Sequence, residues 1–417
     1  MTTRQLRRGA VTAAALSAAL VAAGCGGAAP SAPPPGNSEP GNPAPATPAT
    51  APAWAQAAQP QLEALAKDLV TTGAVVLVRS PHHGDWTWTY GTRTYRGNDP
   101  VQLGDHVRVG SNTKVWTATV VLQLVDEGKL GLDDPIAKFR PDVPNGANIT
   151  IRQLLEMRSG LYNYTLAPDL NQAQDTDPER VYPPDELLAT AFRHPPLYPP
   201  GQGWNYSNTN YVLLGLVIEK LTGGSASAAF QSRIFTPLGM TGSSLPAATD
   251  NSLPDPHPQG YTYGTNVQTV DTTVLPENIQ AQAKAGTLAP RNVTRDNESW
   301  AWTAGSGIGT AADLATFVRA VAGGGLLSPA LQKQRLDSMR PTVPGDPASS
   351  SYGLGLAKLG PFYGHTGEIP GYNSFMGYDP AGGNTVVVWA TDAPAPDGRA
   401  PATELAKVVI GKLYAAP

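Results

Sequence analysis

The chain of 417 residues carries 29 Lys and Arg against 33 Asp and Glu, and the resulting charge of -4 argues against a nucleic-acid partner. Hydrophobic residues make up 41%, enough for a buried core and too many for wholesale disorder. A single cysteine excludes an intrachain disulfide framework.

The first element reads as an address. Arg4, Arg7 and Arg8 form a positive head, residues 10–23 are apolar, and Gly24-Cys25-Gly26 follows. This is the layout of a secretory signal over 1–24. The chain's one thiol, Cys25, falls where a bacterial lipoprotein is cleaved and lipidated. Residues 26–53 are almost entirely Ala, Pro, Gly, Ser, Thr and Asn, a composition that cannot offset the cost of ordering its backbone. We expect a lipidated Cys25 and a disordered Ala/Pro linker over 25–53, with one globular domain over 54–417. The expected location is the outer face of a bacterial cell membrane, with the membrane reached as a partner through the lipid anchor.

In the body, helical spacing over 59–70 precedes a strand at 73–79 and its hairpin partner at 86–90. Residues 115–125 are apolar nearly all round, as expected of a buried helix. Thr150 and Gln153 form a capping box at the start of a short helix. Residues 162–200 read as an irregular excursion and 245–300 as long loops. Further helices are expected at 210–221, 313–322 and 403–414, and a hairpin from 372–378 and 385–391. Strands at both ends with helices between them predict an α+β fold. It would be an antiparallel sheet flanked by helices, with an inserted, mostly helical lobe.

Three short segments can carry chemistry. Lys114 is the one lysine with a serine three residues before it, in Ser111-Asn112-Thr113-Lys114. A serine at a helix start sits among unpaired N–H groups, and a lysine one turn on shares its face. Burial of that lysine should lower its pKa and let it take the serine proton. Taken alone, the pair is equally a cap and a surface lysine. The second segment is Tyr206-Ser207-Asn208. A phenol beside an ammonium should have its pKa lowered and could pass a proton to a leaving group, while the Asn208 amide could accept from Lys114. Alone it reads as a polar turn. The third is Gly364-His365-Thr366-Gly367-Glu368, where Gly367 would admit a second backbone and His365 and Thr366 would present donors on the rim. His82-His83 has no companion cluster, so a zinc site is not expected. The absence of Gly-x-Ser-x-Gly excludes the α/β-hydrolase pattern.

In this order, the three motifs resemble the penicillin-recognising serine hydrolases, most of all class C β-lactamases, D-alanyl-D-alanine carboxypeptidases and related esterases. Flanking segments agree: 125–135 (VDEGKLGLDDP), 151–155 (IRQLL), Pro200-Gly201 and 352–356 (YGLGL). The resemblance implies a β-lactamase/transpeptidase-like fold and acyl transfer without cofactor or metal. Ser111 would be the nucleophile, with Lys114 and Tyr206 managing protons. The N–H groups of Ser111 and Glu368 would hold the oxyanion, while Asn208, His365, Thr366 and Gly367 would line the substrate site. The implied partner is a small molecule or a cell-wall peptide, either turned over or, in a catalytically silent relative, merely bound. Two departures bear on substrate. Glu368 stands where the family carries a small or hydroxylated residue, and Ala357 with Lys358 stands where carboxypeptidases place an arginine for the terminal carboxylate. A neutral ester, an amide or a cationic D-amino peptide suits such a site better than an anionic end.

Overall fold

The computed structural model describes residues 51–343, 346 and 350–415. The expected signal peptide, Cys25 and the linker up to residue 50 lie outside them. The body opens with α1 (Ala53–Asp68), earlier than the expected 59, so Ala53 is helical rather than linker. Trp54 explains the early start. Its indole N–H donates to His83 O at 2.8 Å and its ring meets Trp86 edge-on at 5.4 Å.

The hairpin β1 (Gly73–Arg79) and β2 (Trp86–Gly91) follows. The helices α2 (Thr113–Asp126), α3 (Asn208–Thr222) and α4 (Ala311–Gly323) lie in the middle of the chain. Three short strands come next: β3 (Arg340–Pro341), β4 (Ser351–Tyr352) and β5 (Ala357–Leu359). The chain closes with β6 (Phe362–Ile369), β7 (Tyr372–Asp379), β8 (Asn384–Ala390) and α5 (Pro401–Ala415). Among the described residues these eight strands form one antiparallel sheet, in the order β2-β1-β8-β7-β6-β5-β4-β3. The fold is the expected α+β arrangement, a large antiparallel sheet with helices.

Successive side chains of a strand point to opposite faces. Ala74, Val76 and Val78 pack in the cluster that holds Leu62 of α1 and Leu405 and Val409 of α5. Val75 and Leu77 join the cluster on the other face, with Trp116 of α2 and Phe317 of α4. Both faces are covered, which is why β1 and β8 read as unbroken apolar runs rather than alternating ones. Trp116 is fully buried and meets Phe235 edge-on at 4.9 Å. Such a pair adds about 0.5–1.5 kcal/mol beyond its burial.

The Thr150–Gln153 capping box is present. Residues 162–200 are more regular than expected, with helices at Pro168–Thr176 and Pro184–Phe192. Each opens on a proline at its first turn, where the missing N–H costs nothing. Residues 245–300 are mostly loop but include the helix Glu277–Lys284. Among the described residues no single helix is long and apolar enough to cross a membrane.

Candidate active site

The site forms where the start of α2 meets β6. Strand β5 pairs with β6 only through Phe362–Gly364, so the second half of β6 is open on that edge. A one-turn segment, Gly110–Asn112, comes up against it. Gly110 has φ +55°, and a Cβ there would lie 2.6 Å from Glu368 N. A Cβ on Gly367 would lie 2.0 Å from Val109 O. The two glycines therefore allow backbone-to-backbone contact between the serine segment and the strand. Strand β7 pins the contact from behind: Asn112 Nδ2 donates to Ser374 Oγ and Ser374 Oγ donates to Val109 O, both at 2.8 Å. No side chain caps either helical segment, so Ser111 is not a cap; its hydroxyl faces Lys114.

Lys114 is fully buried. Its Nζ lies 2.9 Å from Ser111 Oγ, 2.6 Å from Asn208 Oδ1 and 2.7 Å from Ala304 O. Burial holds its pKa well below the ordinary lysine value. Two of its N–H groups face carbonyl oxygens that can only accept; once the amine is deprotonated, its lone pair is left for the Ser111 hydroxyl.

Tyr206 and Asn208 arrive at the start of α3. Asn208 N is fixed by Asn163 Oδ1 at 3.0 Å, and its Nδ2 donates to Thr165 Oγ1 at 3.2 Å. The Tyr206 ring centroid lies 4.8 Å from Lys114 Nζ, and its phenol hydrogen-bonds with Ser111. The expected lowering of the phenol's pKa is reversed. Burial is the larger effect and pushes it up, with the Ser111 bond opposing.

A cleft of about 470 Å³ is lined by Ser111, Tyr206, Asn208, Thr366 and Glu368, the last two alternating onto one face of β6. Trp300, Ile369 and Pro370 add an apolar wall, and Asn171, Gln174, Thr262 and Asn266 a neutral polar one. Among the described residues that line it, the one cation, Arg291, is paired with Asp296 at 2.9 Å. Glu368 is open to solvent yet walled in by the cleft, and burial raises its pKa against the lowering effect of Asn373. Ala357 and Lys358 do not reach the cleft; Lys358 Nζ sits 5.0 Å from the centroid of the Tyr363 ring.

His365 does not present a donor on the rim. It is 5% exposed, on the face of β6 away from Thr366. The Thr366 carbonyl can only accept, so Nδ1 carries the proton and Nε2 accepts from the Tyr352 hydroxyl at 3.1 Å. Burial lowers its pKa to about 4, so the ring is neutral. It lies behind Tyr206, with ring centroids 6.2 Å apart.

Sequence reasoning missed the segment that supplies Ala304 O. Thr117 Oγ1 donates to Thr303 O at 2.6 Å, and Gly307 N donates to Thr113 Oγ1 at 2.9 Å. Trp302, just before, has φ +32°, a strained value for a bulky residue. These bonds from α2 over-determine that turn and aim the Ala304 carbonyl at the lysine. No local pattern in the sequence marks a carbonyl for such a role.

Fold and site together define a β-lactamase-type architecture. Residues 61–410 match the Beta-lactamase family model, and the chain belongs to that family. A D-stereospecific amidohydrolase from Streptomyces sp. superposes with a TM-score of 0.70 at 33% identity, over 86% of this chain and 98% of that one. The D-amino acid amidase of Ochrobactrum anthropi SV3 gives a TM-score of 0.70 at 25% identity, over 86% of this chain and 99% of that one. The lovastatin esterase of Penicillium rubens is 31% identical over 204 residues, which is 43% of this chain and 50% of the esterase. The chain thus spans about half the length of that curated relative.

Proposed function

We propose that the protein is a serine hydrolase that cleaves an amide or ester through an acyl-enzyme. The observation that carries the reading is the fully buried Lys114 amine, its pKa held down by burial, 2.9 Å from Ser111 Oγ. Ser111 Oγ bonds to the substrate carbonyl carbon as its proton passes to Lys114 Nζ. The carbonyl oxygen becomes an oxyanion held by the N–H groups of Ser111 and Glu368; losing one such donor typically costs ~10²–10³ in turnover. The C–N or C–O bond then breaks. Tyr206, held protonated by its burial, gives its proton to the departing group and regains one from Lys114. Water attacks the acyl carbon, returns a proton through the same groups and frees Ser111. His365 acts behind Tyr206 as a positioning residue.

The cleft favours substrates without a carboxylate at the scissile end, because its one cation is already paired. The amidohydrolase, the amidase and the esterase among the relatives support an amide or ester substrate. We also propose export and lipid anchoring through Cys25, on the sequence alone. Loss of labelled palmitate incorporation in Cys25→Ser is the expected result there.

The decisive test is intact-mass analysis of the full-length protein after exposure to a fluorescent penicillin, a p-nitrophenyl ester and a D-aminoacyl amide. An adduct on Ser111 is expected, with the shortest lifetime for the preferred substrate. No adduct with any of them would leave a protein that only binds cell-wall peptides.

A further inference from the structure

Glu368 places a carboxylate inside the cleft, and the acyl-transfer chemistry above gives it no task. Asn373, its partner across the β6–β7 ladder, donates from Nδ2 to Glu368 Oε2 at 3.0 Å. Asn373 is itself 1% exposed and fixed by accepting Ala402 N at 2.9 Å. The carboxylate is thus held from one side by a rigid donor. Its other oxygen, Oε1, has no hydrogen bond among the described residues, and Glu368 has no salt bridge among them. The group stands close enough to the Tyr206 phenol to raise its pKa. In this partly desolvated position a carboxylate gains from a cation and repels an anion.

The geometry defines where that cation belongs. The residue whose N–H would hold the substrate carbonyl oxygen is the one that carries the carboxylate. A substituent on the carbon next to the carbonyl is only two bonds from the reacting carbon, within the span of a glutamate side chain. An α-ammonium on the acyl group fits both requirements, whereas a charge on the leaving group lies beyond the scissile bond. Resting on the serine-hydrolase reading, we infer that Glu368 is the receptor for the α-ammonium of the acyl group. The preferred substrate is then an amide or ester of an amino acid, or a short peptide, with a free amino terminus adjoining the scissile bond. Blocked or des-amino acyl groups are disfavoured.

Two serine-directed phosphonates test this on the full-length chain. Diphenyl 1-aminoethylphosphonate carries the ammonium, and diphenyl ethylphosphonate lacks it. With either, Ser111 Oγ bonds to phosphorus and phenol departs with the serine proton. The readout is the ratio of the two labelling rate constants, taken in the wild type, Glu368→Gln and Glu368→Asp. Taking the ratio for each variant cancels the reagents' intrinsic reactivity and any general loss of activity. We expect the ratio to fall ~10- to 100-fold in Glu368→Gln, as for one lost charge-assisted hydrogen bond, and to recover in part in Glu368→Asp. An unchanged ratio with Ser111 still labelled would overturn the receptor and leave the hydrolase standing. No labelling of the wild type by either reagent would overturn both.

Discussion

The Lys114 amine directs two of its three polar contacts at carbonyl oxygens, Asn208 Oδ1 and Ala304 O, and the third at the Ser111 hydroxyl. This division sets a pH dependence. An added proton would fill the lone pair needed to accept from Ser111, so kcat/KM should fall as pH drops through the depressed pKa of Lys114. Lys114→Arg, charged at every working pH, should lose ~10²–10⁴-fold in kcat/KM with no recovery at alkaline pH. Stability follows the same group. Native Lys114 releases its proton at lower pH than the lysine of the unfolded chain. Between those two pKa values the unfolded state binds more protons, so this group's contribution to stability rises with pH there and is lost as pH falls through the native pKa. A pH–rate profile for both proteins checks the first claim; an acid limb that survives unchanged in an active Lys114→Arg would refute it.

Ser111→Ala should remove covalent labelling and turnover while preserving the fold. The hydroxyl caps no helix, and its loss removes the contacts to Lys114 and Tyr206, each worth ~1 kcal/mol. Urea denaturation beside an activity assay separates the two effects. Turnover near the wild-type level would reassign the nucleophile.

Much of this site was legible because its parts are local. Ser111 and Lys114 lie one helical turn apart, and Tyr206 and Asn208 open a helix, so spacing alone brings each pair together. The apolar runs of α2 and α3 announced burial, and with it the depressed lysine. The errors arose where a tertiary neighbour decides. His365 was placed on the rim, although strand alternation puts it opposite Thr366 and Glu368; the period of two was the available signal. The phenol's shift took the wrong sign because its own burial, which follows from the whole fold, is the larger effect. Ala304 O reaches Lys114 from 190 residues away, through a strained turn that no spacing rule describes. The helices over 168–176 and 184–192 lie inside the stretch expected to be irregular; each opens on a proline, which a first turn tolerates.

Gly367→Ala should cost activity more than stability. The new Cβ would fall 2.0 Å from Val109 O, a backbone atom, so the strand and the serine segment must separate. That displaces the N–H groups of Ser111 and Glu368 relative to each other, and turnover should drop by at least ~10²-fold, as for the loss of one oxyanion donor. The rest of β6 keeps its ladder with β7, so cooperative unfolding should persist at a lowered Tm. Steady-state kinetics and a thermal melt decide; wild-type turnover would mean that the oxyanion is held elsewhere.

Glu298 offers a pH test of stability away from the cleft. It is 3% exposed, and its carboxylate, apart from a weak contact with the Trp300 side chain, is left without hydrogen bonds among the described residues. Burial raises its pKa to about 8, with the Arg108 guanidinium offsetting part of the rise. Below the ordinary value of 4.5 the group is neutral in both native and unfolded chains, and its burial carries no ionisation penalty. As pH rises, the unfolded chain loses this proton first, so the native state binds more protons and stability declines until pH passes about 8. Asp392, raised to about 7 by burial, acts in the same direction and is common to both proteins compared. Glu298→Gln stays neutral throughout, so its stability should decline less with pH. Near pH 9 the variant should exceed the wild type by a few kcal/mol, on the order of 1.4 kcal/mol per unit of pKa shift, while near pH 5 the two should differ little. Urea midpoints at both pH values supply the comparison. Parallel pH dependence in the two proteins would mean that Glu298 ionises freely in the native state, with water reaching its carboxylate.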